Sequence, residues 1–258
     1  MRPEDFSIDE RRKNIIELLN KNGKVRVNDL ASLYGISEVT IRSDLDELEK
    51  QGLLERVHGG AVTTYRSYLN MNLLERSKTN EAEKRKIAQR ISEMVCNGDA
   101  LMLNAGTTTL YVMHYLKDFK NLIVVTNSIA IAQEADRFKN IEIILLGGSI
   151  NNQYQFTHGD ETISQIKKYK VDKLILASDG VSAEEGITTA FATEAEIDRQ
   201  MMKRASKIIL ACDNTKVGRV GFSYIEAVES IDYLVTNSSA PKNELEAIAE
   251  RGVEIITV

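Results

Sequence analysis

Short apolar segments alternate with helical patterns from residue 100 to the end of the chain, and this alternation constrains the fold most strongly. Seven segments of four to six residues are apolar almost throughout, and helical stretches separate most of them. Parallel strands joined by helices are buried on both faces, which makes each strand apolar along its length. The pattern predicts an α/β domain with a mostly parallel sheet. The predicted strands are 100–104, 122–126, 141–146, 173–177, 208–212, 233–236 and 253–258.

The first sixty residues instead predict short helices followed by a hairpin. Ser7 is in position to begin a helix through a capping box. We expect a second helix over 29–34 with Asn28 as its cap, and a third over 38–51 with Ser37 as its cap. Two such helices joined by a glycine turn are the parts of a helix-turn-helix.

A hairpin over 53–62 is expected to form a wing beside these helices. On a helical wheel of the third helix, Ile41, Leu45 and Leu48 define the core side, while Val39 lies on the polar side. An exposed valine in the first turn fits a major groove, where it can contact a thymine methyl group. The third helix is therefore a candidate recognition helix.

The predicted DNA contacts lie on the first turn of this helix and on the wing. Arg42 can bind a guanine edge or a phosphate, and the helix N-terminus also favours phosphate. A module that binds only protein is the alternative, because Glu38, Asp44 and Glu47 on the same helix would repel phosphate. The predicted DNA-binding residues are Ser37, Val39, Thr40, Arg42, Ser43, Arg56, His58 and Gly59.

Composition excludes several classes of protein and gives little sign of nucleic acid. The net charge is −5, but residues 11–27 have six basic side chains against Glu17 alone, namely Arg11, Arg12, Lys13, Lys21, Lys24 and Arg26. No apolar run is long enough to span a membrane, and no signal sequence is recognisable. Two cysteines and three scattered histidines form no disulfide framework or zinc site. We expect a cytoplasmic protein without cofactor or metal.

Polar or glycine-rich turns follow five of the predicted strands, where open α/β sheets bind their ligands. The turn 106–109 is a glycine and three threonines at a helix start, which can bind phosphate, although ordinary capping also explains it. Asp213 and Lys216 offer hydroxyl recognition and a cation, whereas a solvated helix face explains Glu194 and Lys203 equally well. The predicted ligand-binding residues are Asn104, Gly106, Thr107, Thr108, Thr109, Asn127, Gly148, Asp179, Gly180, Glu194, Lys203, Asp213 and Lys216.

The segment VNDLASLYGISEVTIRSDLDELEKQGLLERVHGGAV resembles the N-terminal signature of the DeoR family of bacterial transcriptional regulators. The helix-turn-helix, the Thr-Ile-Arg-x-Asp-Leu motif and the His-Gly-Gly-Ala wing occur without a gap. The family usually has two arginines after Thr-Ile, and here the second is Ser43. This difference removes one cation from the groove-facing side and can alter the operator sequence that is recognised.

Residues 81–236 resemble the effector domain of the same family, which shares the fold of ribose-5-phosphate isomerase and CoA-transferase-like proteins. The matching motifs include the turn 106–109, Val-Thr-Asn-Ser, Leu-Gly-Gly and the Asp-x-x-Lys motif at 213–216. The resemblance implies a phosphorylated sugar or related metabolite as effector, with the turn and Lys216 as phosphate contacts. Asn104 departs from the family pattern, which usually has aspartate there.

Together these features predict a winged helix-turn-helix domain over 1–61, a linker over 62–80 and an α/β effector domain over 81–258. The predicted function is a sequence-specific regulator, a repressor of a carbohydrate catabolic operon that binds double-stranded operator DNA as a homo-oligomer, dimer or tetramer. A sugar-phosphate isomerase with an accessory head is the alternative, with a carboxylate as its base. A scaffold that binds only protein partners is a third hypothesis.

Overall fold

The structure is a computed structural model that describes residues 7–258, except the side chains of Lys21 and of residues 65–67. It divides into two compact units, Met1–Glu81 and Ala82–Val258, called here the N-terminal and C-terminal units. Among the described residues, no helix has both the length and the hydropathy that crossing a membrane requires.

The N-terminal unit begins with three helices and a small antiparallel sheet. The helices are α1 (Ile8–Asn22), α2 (Val27–Tyr34) and α3 (Glu38–Lys50). The strands are β1 (Lys24–Arg26), β2 (Glu55–Val57) and β3 (Gly60–Val62), in the order β1-β3-β2. The buried residues Ile41, Leu45 and Leu48 of α3 join α1 and α2 in one apolar cluster, as the helical wheel predicts.

Local hydrogen bonds explain where these helices begin. The predicted capping box of α1 is present, with the Glu10 amide donating to Ser7 Oγ at 3.2 Å. The prediction for α2 is wrong, because the helix begins at Val27 and Asn28 lies inside it. The Val27 amide donates to the Gly59 carbonyl at 2.9 Å, so the wing supplies a partner that a side-chain cap would otherwise provide.

The segment after the wing forms two short helices, α4 (Tyr65–Asn70) and α5 (Leu73–Lys78), inside the N-terminal unit. Tyr68 and Met71 are buried, and the Arg76 guanidinium lies 4.1 Å from the centre of the Tyr68 ring. The Thr79 hydroxyl donates to the Asn20 carbonyl at 2.6 Å. These contacts pack most of the segment expected to be a linker, and the division between the units falls after Glu81.

The C-terminal unit contains the predicted parallel sheet together with two smaller antiparallel sheets. Its strands are β4 (Ala100–Leu103), β5 (Leu122–Thr126), β6 (Ile141–Leu145), β7 (Ser149–Asn151), β8 (Phe156–His158), β9 (Val171–Leu176), β10 (Gly180–Ser182), β11 (Gly186–Thr189), β12 (Ala205–Ala211), β13 (Ser223–Glu226), β14 (Tyr233–Thr236) and β15 (Glu254–Thr257). Its helices are α6 (Glu81–Ser92), α7 (Thr107–Tyr115), α8 (Ile129–Gln133), α9 (Asp160–Ile166), α10 (Ala192–Met202) and α11 (Lys242–Glu250).

All seven predicted strands belong to one parallel sheet of order β15-β14-β12-β9-β4-β5-β6, which confirms the predicted fold class. Apolar clusters cover both faces of the sheet. The chain runs outward from β4 to β6 and then returns to place β9 on the other side of β4. The strand order therefore reverses between β4 and β9, the position where open α/β sheets form a crevice.

The two smaller sheets, β10-β11-β13 and β7-β8, are absent from the sequence prediction. Their strands are short and rich in glycine, threonine and serine, so they lack the apolar runs on which that prediction relied. Two strands of the three-stranded sheet, β10 and β11, follow β9 in the chain, and residues 177–179 connect β9 to β10.

Candidate functional site

The first turn of α3 presents an exposed face with the chemistry expected of a recognition helix. Ser37 caps the helix by accepting from the Thr40 amide at 3.2 Å, and the two hydroxyl oxygens are 2.9 Å apart. Val39 is 72% exposed, and Thr40 and Ser43 are also exposed. The opposite face of the helix is buried, so these side chains project outward together.

Arg42 lies on the same exposed part of α3 and forms an ion pair within the helix. Its Nη2 donates to Glu38 Oε2 at 2.5 Å, and about half of each side chain is exposed to solvent. Exposed pairs of this kind contribute only about 0.3–0.5 kcal/mol to helix stability. A phosphate or a guanine edge can therefore replace Glu38 as the partner of Arg42 at little cost.

Arg56, a predicted wing contact, lies closer to α3 than the sequence indicates. Its Nη1 donates to the Arg42 carbonyl at 3.1 Å and pairs with Asp46, while its Nε donates to the Gly60 carbonyl at 3.2 Å. About a fifth of its side chain is exposed. In this arrangement Arg56 fastens the wing to α3, and a DNA phosphate would have to compete with those partners.

The tip of the wing contains the predicted contacts His58 and Gly59, both exposed. Gly59 has a φ of 76°, in the left-handed region that favours glycine. A side chain on Gly60 would collide with the Val25 carbonyl. The two glycines therefore allow the tight approach between the wing and β1 that holds His58 at the outer end.

The sequence analysis expected Asp44 to face DNA and repel its phosphates. In the structure Asp44 lies on the buried side of α3 instead. Arg11 Nε and Arg12 Nε donate to its two carboxylate oxygens at 2.7 and 2.9 Å. Asp44 is 2% exposed, and Arg11 is also buried. These arginines, part of the basic excess in the sequence, thus neutralise a buried carboxylate and join α1 to α3.

At the reversal point of the large sheet, Asn104 joins the ends of β4 and β9. Its Oδ1 accepts from the Ala177 amide and its Nδ2 donates to the Ala177 carbonyl, both at 2.9 Å. The same Nδ2 donates to Asp198 Oδ1 at 3.1 Å. A carboxylate at position 104 could accept but not donate, so the asparagine is suited to pairing with Asp198.

The turn 106–109 begins α7 beside Asn104. A side chain on Gly106 would lie 2.7 Å from Ala177 Cβ, so the helix can approach β9 this closely only with glycine. The Thr109 hydroxyl donates within the turn, to the carbonyls of Asn104 and Gly106 at 2.8 and 2.9 Å. The three threonines are buried, and Thr109 serves the turn itself.

Asn127 and Gly148 shape the neighbouring turns. Asn127 is buried, and its Oδ1 accepts from the Ala105 amide at 3.0 Å while its Nδ2 donates to the Thr157 carbonyl at 3.1 Å. A side chain on Gly148 would collide with the Thr162 hydroxyl. The hydrogen bonds of Asn127 connect the neighbouring loops, and the absence of a side chain at Gly148 leaves room for the Thr162 hydroxyl.

Three acidic side chains lie near Asn104. Asp179 Oδ2 accepts from the Ala190 amide at 3.1 Å and from the Thr189 hydroxyl at 3.4 Å, and this hydroxyl also pairs with Glu194. Asp198, one turn after Glu194 on α10, is 1% exposed. Burial raises the pKa of Asp198 well above its usual value, and the charges of Glu194 and Asp179 raise it further. The site therefore favours the protonated form of Asp198.

A cationic cluster lies at the end of β12. Burial opposes ionisation of Asp213, but the charges of Lys216 and Lys84 lower its pKa overall. The Thr215 amide and hydroxyl contribute by donating to Asp213 Oδ1 at 2.9 and 2.5 Å. Asp213, Lys216 and Lys84 are 2%, 4% and 2% exposed. The carboxylate of Asp213 thus lies close to two buried cations, Lys216 and Lys84, which stabilise its charged form.

The chain after β12 crosses β10 as a segment that we call the strap, residues 213–222. The Val181 amide donates to the Lys216 carbonyl at 3.0 Å, and the Gly218 amide donates to the Val181 carbonyl at 2.8 Å. A side chain on Gly180 would collide with the Arg219 carbonyl, which explains the glycine at this predicted site position. The strap therefore holds Lys216 in place beside β10.

Most of the predicted ligand-binding residues lie at the carboxyl edge of the large sheet, but Lys203 does not. Lys203 is exposed and follows the last residue of α10, whereas Glu194 lies in the first turn. Nine residues of helix separate the two by about 13 Å along the axis. The charged neighbour of Lys203 is Glu196, which also pairs with Arg199 at 2.7 Å.

Two residues of the site were missed from the sequence. Lys84 occupies the apolar stripe of α6 together with the buried Ile87, Ala88 and Ile91, and a lysine at such a position is a signal of a buried charge. Asp198 follows Glu194 by four residues, which places both on one face of a helix.

Cys212 is buried beside Ser178, and burial raises its pKa to about 11, which makes it a poor nucleophile.

Comparison with known families gives two matches that together span most of the chain. The DeoR-like helix-turn-helix domain matches residues 11–66, and the DeoR C terminal sensor domain matches residues 79–238.

Curated relatives match over nearly their full length. A putative aga operon transcriptional repressor from Escherichia coli O157:H7 is 34% identical, with 96% of this chain and 93% of the relative covered. The HTH-type transcriptional regulator GlpR from Haloferax volcanii is 32% identical, with 96% of each chain covered. The glycerol-3-phosphate regulon repressor of Escherichia coli K12 is 28% identical, with 95% and 97% covered.

Solved structures show more distant similarity. A probable sor operon regulator from Shigella flexneri aligns with a TM-score of 0.44 at 13% identity, covering 65% of this chain and 88% of that one. Ribose 5-phosphate isomerase A from Methanocaldococcus jannaschii aligns with a TM-score of 0.40 at 16% identity, covering 53% and 54%.

Proposed function

The chain belongs to the DeoR family of transcriptional regulators, and from this membership we propose how its two units divide the work. The N-terminal unit binds double-stranded operator DNA through α3 and the wing. The C-terminal unit binds a phosphorylated sugar at the carboxyl edge of its large sheet. Ligand binding changes the affinity for the operator, and the regulator acts as a repressor of a carbohydrate catabolic operon in the cytoplasm.

The exposed first turn of α3 is the main support for operator binding. Val39 is 72% exposed on a helix whose opposite face is fully packed, and no structural role requires an apolar side chain there. In a major groove, Val39 would contact a thymine methyl group while Arg42 binds a guanine or a phosphate. Ser43 would contribute a hydroxyl where most family members have a second cation.

Operator binding can be tested by fluorescence anisotropy with promoter DNA from the operon that encodes the protein. Titrations across a salt series should show a preference for the promoter over a shuffled duplex of the same composition. Affinity for both duplexes should fall as salt increases, because phosphate contacts release counterions. Equal affinity for the two duplexes at every salt concentration would contradict sequence-specific binding.

The two buried cations near Asp213 support an anionic ligand. We expect Lys216 and Lys84 to bind the phosphate together with the amides of the turn 106–109, since helix N-termini favour anions. The carboxylates of Asp179 and Glu194 would accept hydrogen bonds from sugar hydroxyls. Cations that can bind a phosphate, together with carboxylates that can accept from hydroxyls, suit a phosphorylated sugar.

A thermal-shift screen against phosphorylated sugars tests the ligand class. A matching sugar phosphate should raise the melting temperature, whereas the same sugar without phosphate should have little effect. Equal stabilisation by the sugar with and without its phosphate group would contradict the proposal that the C-terminal unit recognises a phosphorylated sugar. The isomerase hypothesis is set aside, because the relatives named above are regulators.

A further inference from the structure

An acid lies on the packed face of α10, close to the candidate ligand site. Asp198 is 1% exposed, and it shares its helix face with the buried residues Ala195, Met201 and Met202. An ionised carboxylate on such an apolar face is costly unless it is paired. The hydrogen bonds around Asp198 therefore decide what this acid can do.

Asn104 determines which oxygen of Asp198 holds the proton. Its Oδ1 accepts from the Ala177 amide and its Nδ2 donates to the Ala177 carbonyl, so the backbone allows one orientation of the side-chain amide. The second hydrogen of Nδ2 is donated to Asp198 Oδ1 at 3.1 Å. Because Oδ1 acts as an acceptor there, the proton of the acid lies on Oδ2.

This Oδ2 atom lacks an acceptor within the described part of the chain. It is buried, and no described group forms a hydrogen bond with it. The charges of Glu194, one turn earlier on α10, and of Asp179 raise the pKa of Asp198, and the charge of Arg199 lowers it by less. A buried donor without an acceptor destabilises a protein, which points to an acceptor supplied by a bound molecule.

A sugar hydroxyl suits this position because it can accept and donate at the same time. It can accept from Asp198 Oδ2 while its own hydrogen is donated to Glu194, whose Oε2 also accepts from the Thr189 hydroxyl. An ammonium group has only donors, so Asp198 would have nothing to donate to. An unsatisfied donor in a buried site therefore discriminates between these two groups.

We propose that protonated Asp198 donates from Oδ2 to one hydroxyl of the phosphorylated sugar, and that it thereby selects a hydroxyl over an amino group at this position. The proposal rests on the proposed function, because it adds a recognition residue to the same site. The donor exists only while Asp198 is protonated. Affinity for a sugar phosphate without an amino group should therefore be full below the pKa of Asp198 in the folded protein and should fall as the pH rises through it.

Carbon-13 NMR of the aspartate side chains shows whether the ligand-free protein has this donor. The carboxyl signal of Asp198 is identified as the one that disappears in Asp198→Asn. It should remain at the position of a protonated acid at pH values where exposed aspartates, with a pKa of about 3.9, are already ionised. Titration of Asp198 together with the exposed aspartates would overturn the proposal.

Calorimetric titrations then measure binding across the pH range in which NMR shows Asp198 to titrate. The probes are glucose, galactose and fructose phosphates, with glucosamine and galactosamine phosphates as their amino counterparts. A probe without an amino group should bind about tenfold more weakly above the titration than below it. Asp198→Asn keeps an uncharged donor at this position, so its affinity should show no such fall. The ratio of the two affinities removes the titration of the phosphate itself, whose second pKa is about 6.

Two further variants separate hydrogen bonding from the loss of a charge. Asp198→Leu can neither donate nor accept, and below the titration it should bind the same probe about tenfold more weakly than the unsubstituted protein. Glu246→Gln removes an exposed carboxylate from α11 and should follow the pH dependence of the unsubstituted protein. If circular dichroism shows that Asp198→Leu is unfolded, the pH dependence of Asp198→Asn decides the question.

Two binding results would also count against this role of Asp198. The first is the same pH dependence in the unsubstituted protein and in Asp198→Asn. The second is tighter binding of an amino-sugar phosphate with an affinity that increases as Asp198 ionises. Binding of none of the phosphates would instead overturn the proposed ligand class, so the failure of the two proposals can be distinguished.

Discussion

Replacing Arg42 by alanine should weaken operator binding far more than it weakens folding. In the free protein, Arg42 is half exposed and its partner is Glu38 at 2.5 Å. Losing this exposed pair should lower the free energy of unfolding by about 0.3–0.5 kcal/mol. Losing a bidentate contact with a base should cost about 1–3 kcal/mol of binding free energy, a decrease in operator affinity of about 5- to 150-fold.

Fluorescence anisotropy across a salt series separates the two contacts that Arg42 can make. If Arg42 binds a phosphate, Arg42→Ala should weaken all duplexes alike and reduce the slope of log affinity against log salt by about 0.9. If it binds a guanine, one position of the operator should lose its base preference. Glu38→Gln is the matched control, because it breaks the same ion pair but keeps the cation, and it should leave operator affinity equal or higher.

An unchanged operator affinity in folded Arg42→Ala would refute this reasoning. It would mean that Arg42 stays paired with Glu38 in the complex, or that the exposed face of α3 does not enter the groove. A loss of affinity in Glu38→Gln as large as in Arg42→Ala would also contradict it, because the ion pair itself would then be the important element.

Three further substitutions test the remaining contacts. Lys216→Ala should keep operator affinity but abolish stabilisation by a phosphorylated sugar in thermal-shift assays, whereas loss of both would indicate misfolding. Asp198→Asn should raise the free energy of unfolding in urea at pH 8. The pKa of Asp198 is higher in the folded protein than in the unfolded chain, so native stability declines as the pH rises above the pKa of the unfolded chain. An amide does not titrate and removes this decline, so the advantage of the variant should vanish near pH 4. Asp44→Ala should lower the free energy of unfolding by about 3 kcal/mol, because Arg11 and Arg12 lose their shared carboxylate; an unchanged urea midpoint would contradict a stabilising role for this cluster.

Elements with a strong local pattern could be predicted from the sequence. The seven strands of the large sheet are apolar runs bounded by polar turns, and each lies in the sheet. The beginnings of α1 and α3 follow from Ser7 and Ser37, whose side chains bond to backbone amides three residues later. The beginning of α2 was misjudged, because its first amide bonds to Gly59, which lies far away in the sequence.

The sequence analysis singled out mainly turns after strands as site positions, and it did not single out Lys84 and Asp198, which lie on helices. Asp213 and Lys216 follow a strand and belong to one short motif. Lys84 and Asp198 lie on helices and resemble ordinary charged residues until the surrounding packing is known. Their burial is a property of the whole unit, since a charge on a helix is solvated unless another element covers it.

The amino-acid order alone is enough to specify two units of different type, their strands and the helices that begin with a serine cap, because periodicity and capping act over a few neighbouring residues. Strand order and the pairing of charges arise only in the folded chain. Arg11 meets Asp44 across 33 positions, and Asn104 meets Asp198 across 94. Such distant groups come together only when the packing of apolar faces brings their elements into contact, and burial then makes their hydrogen bonds and charges strong.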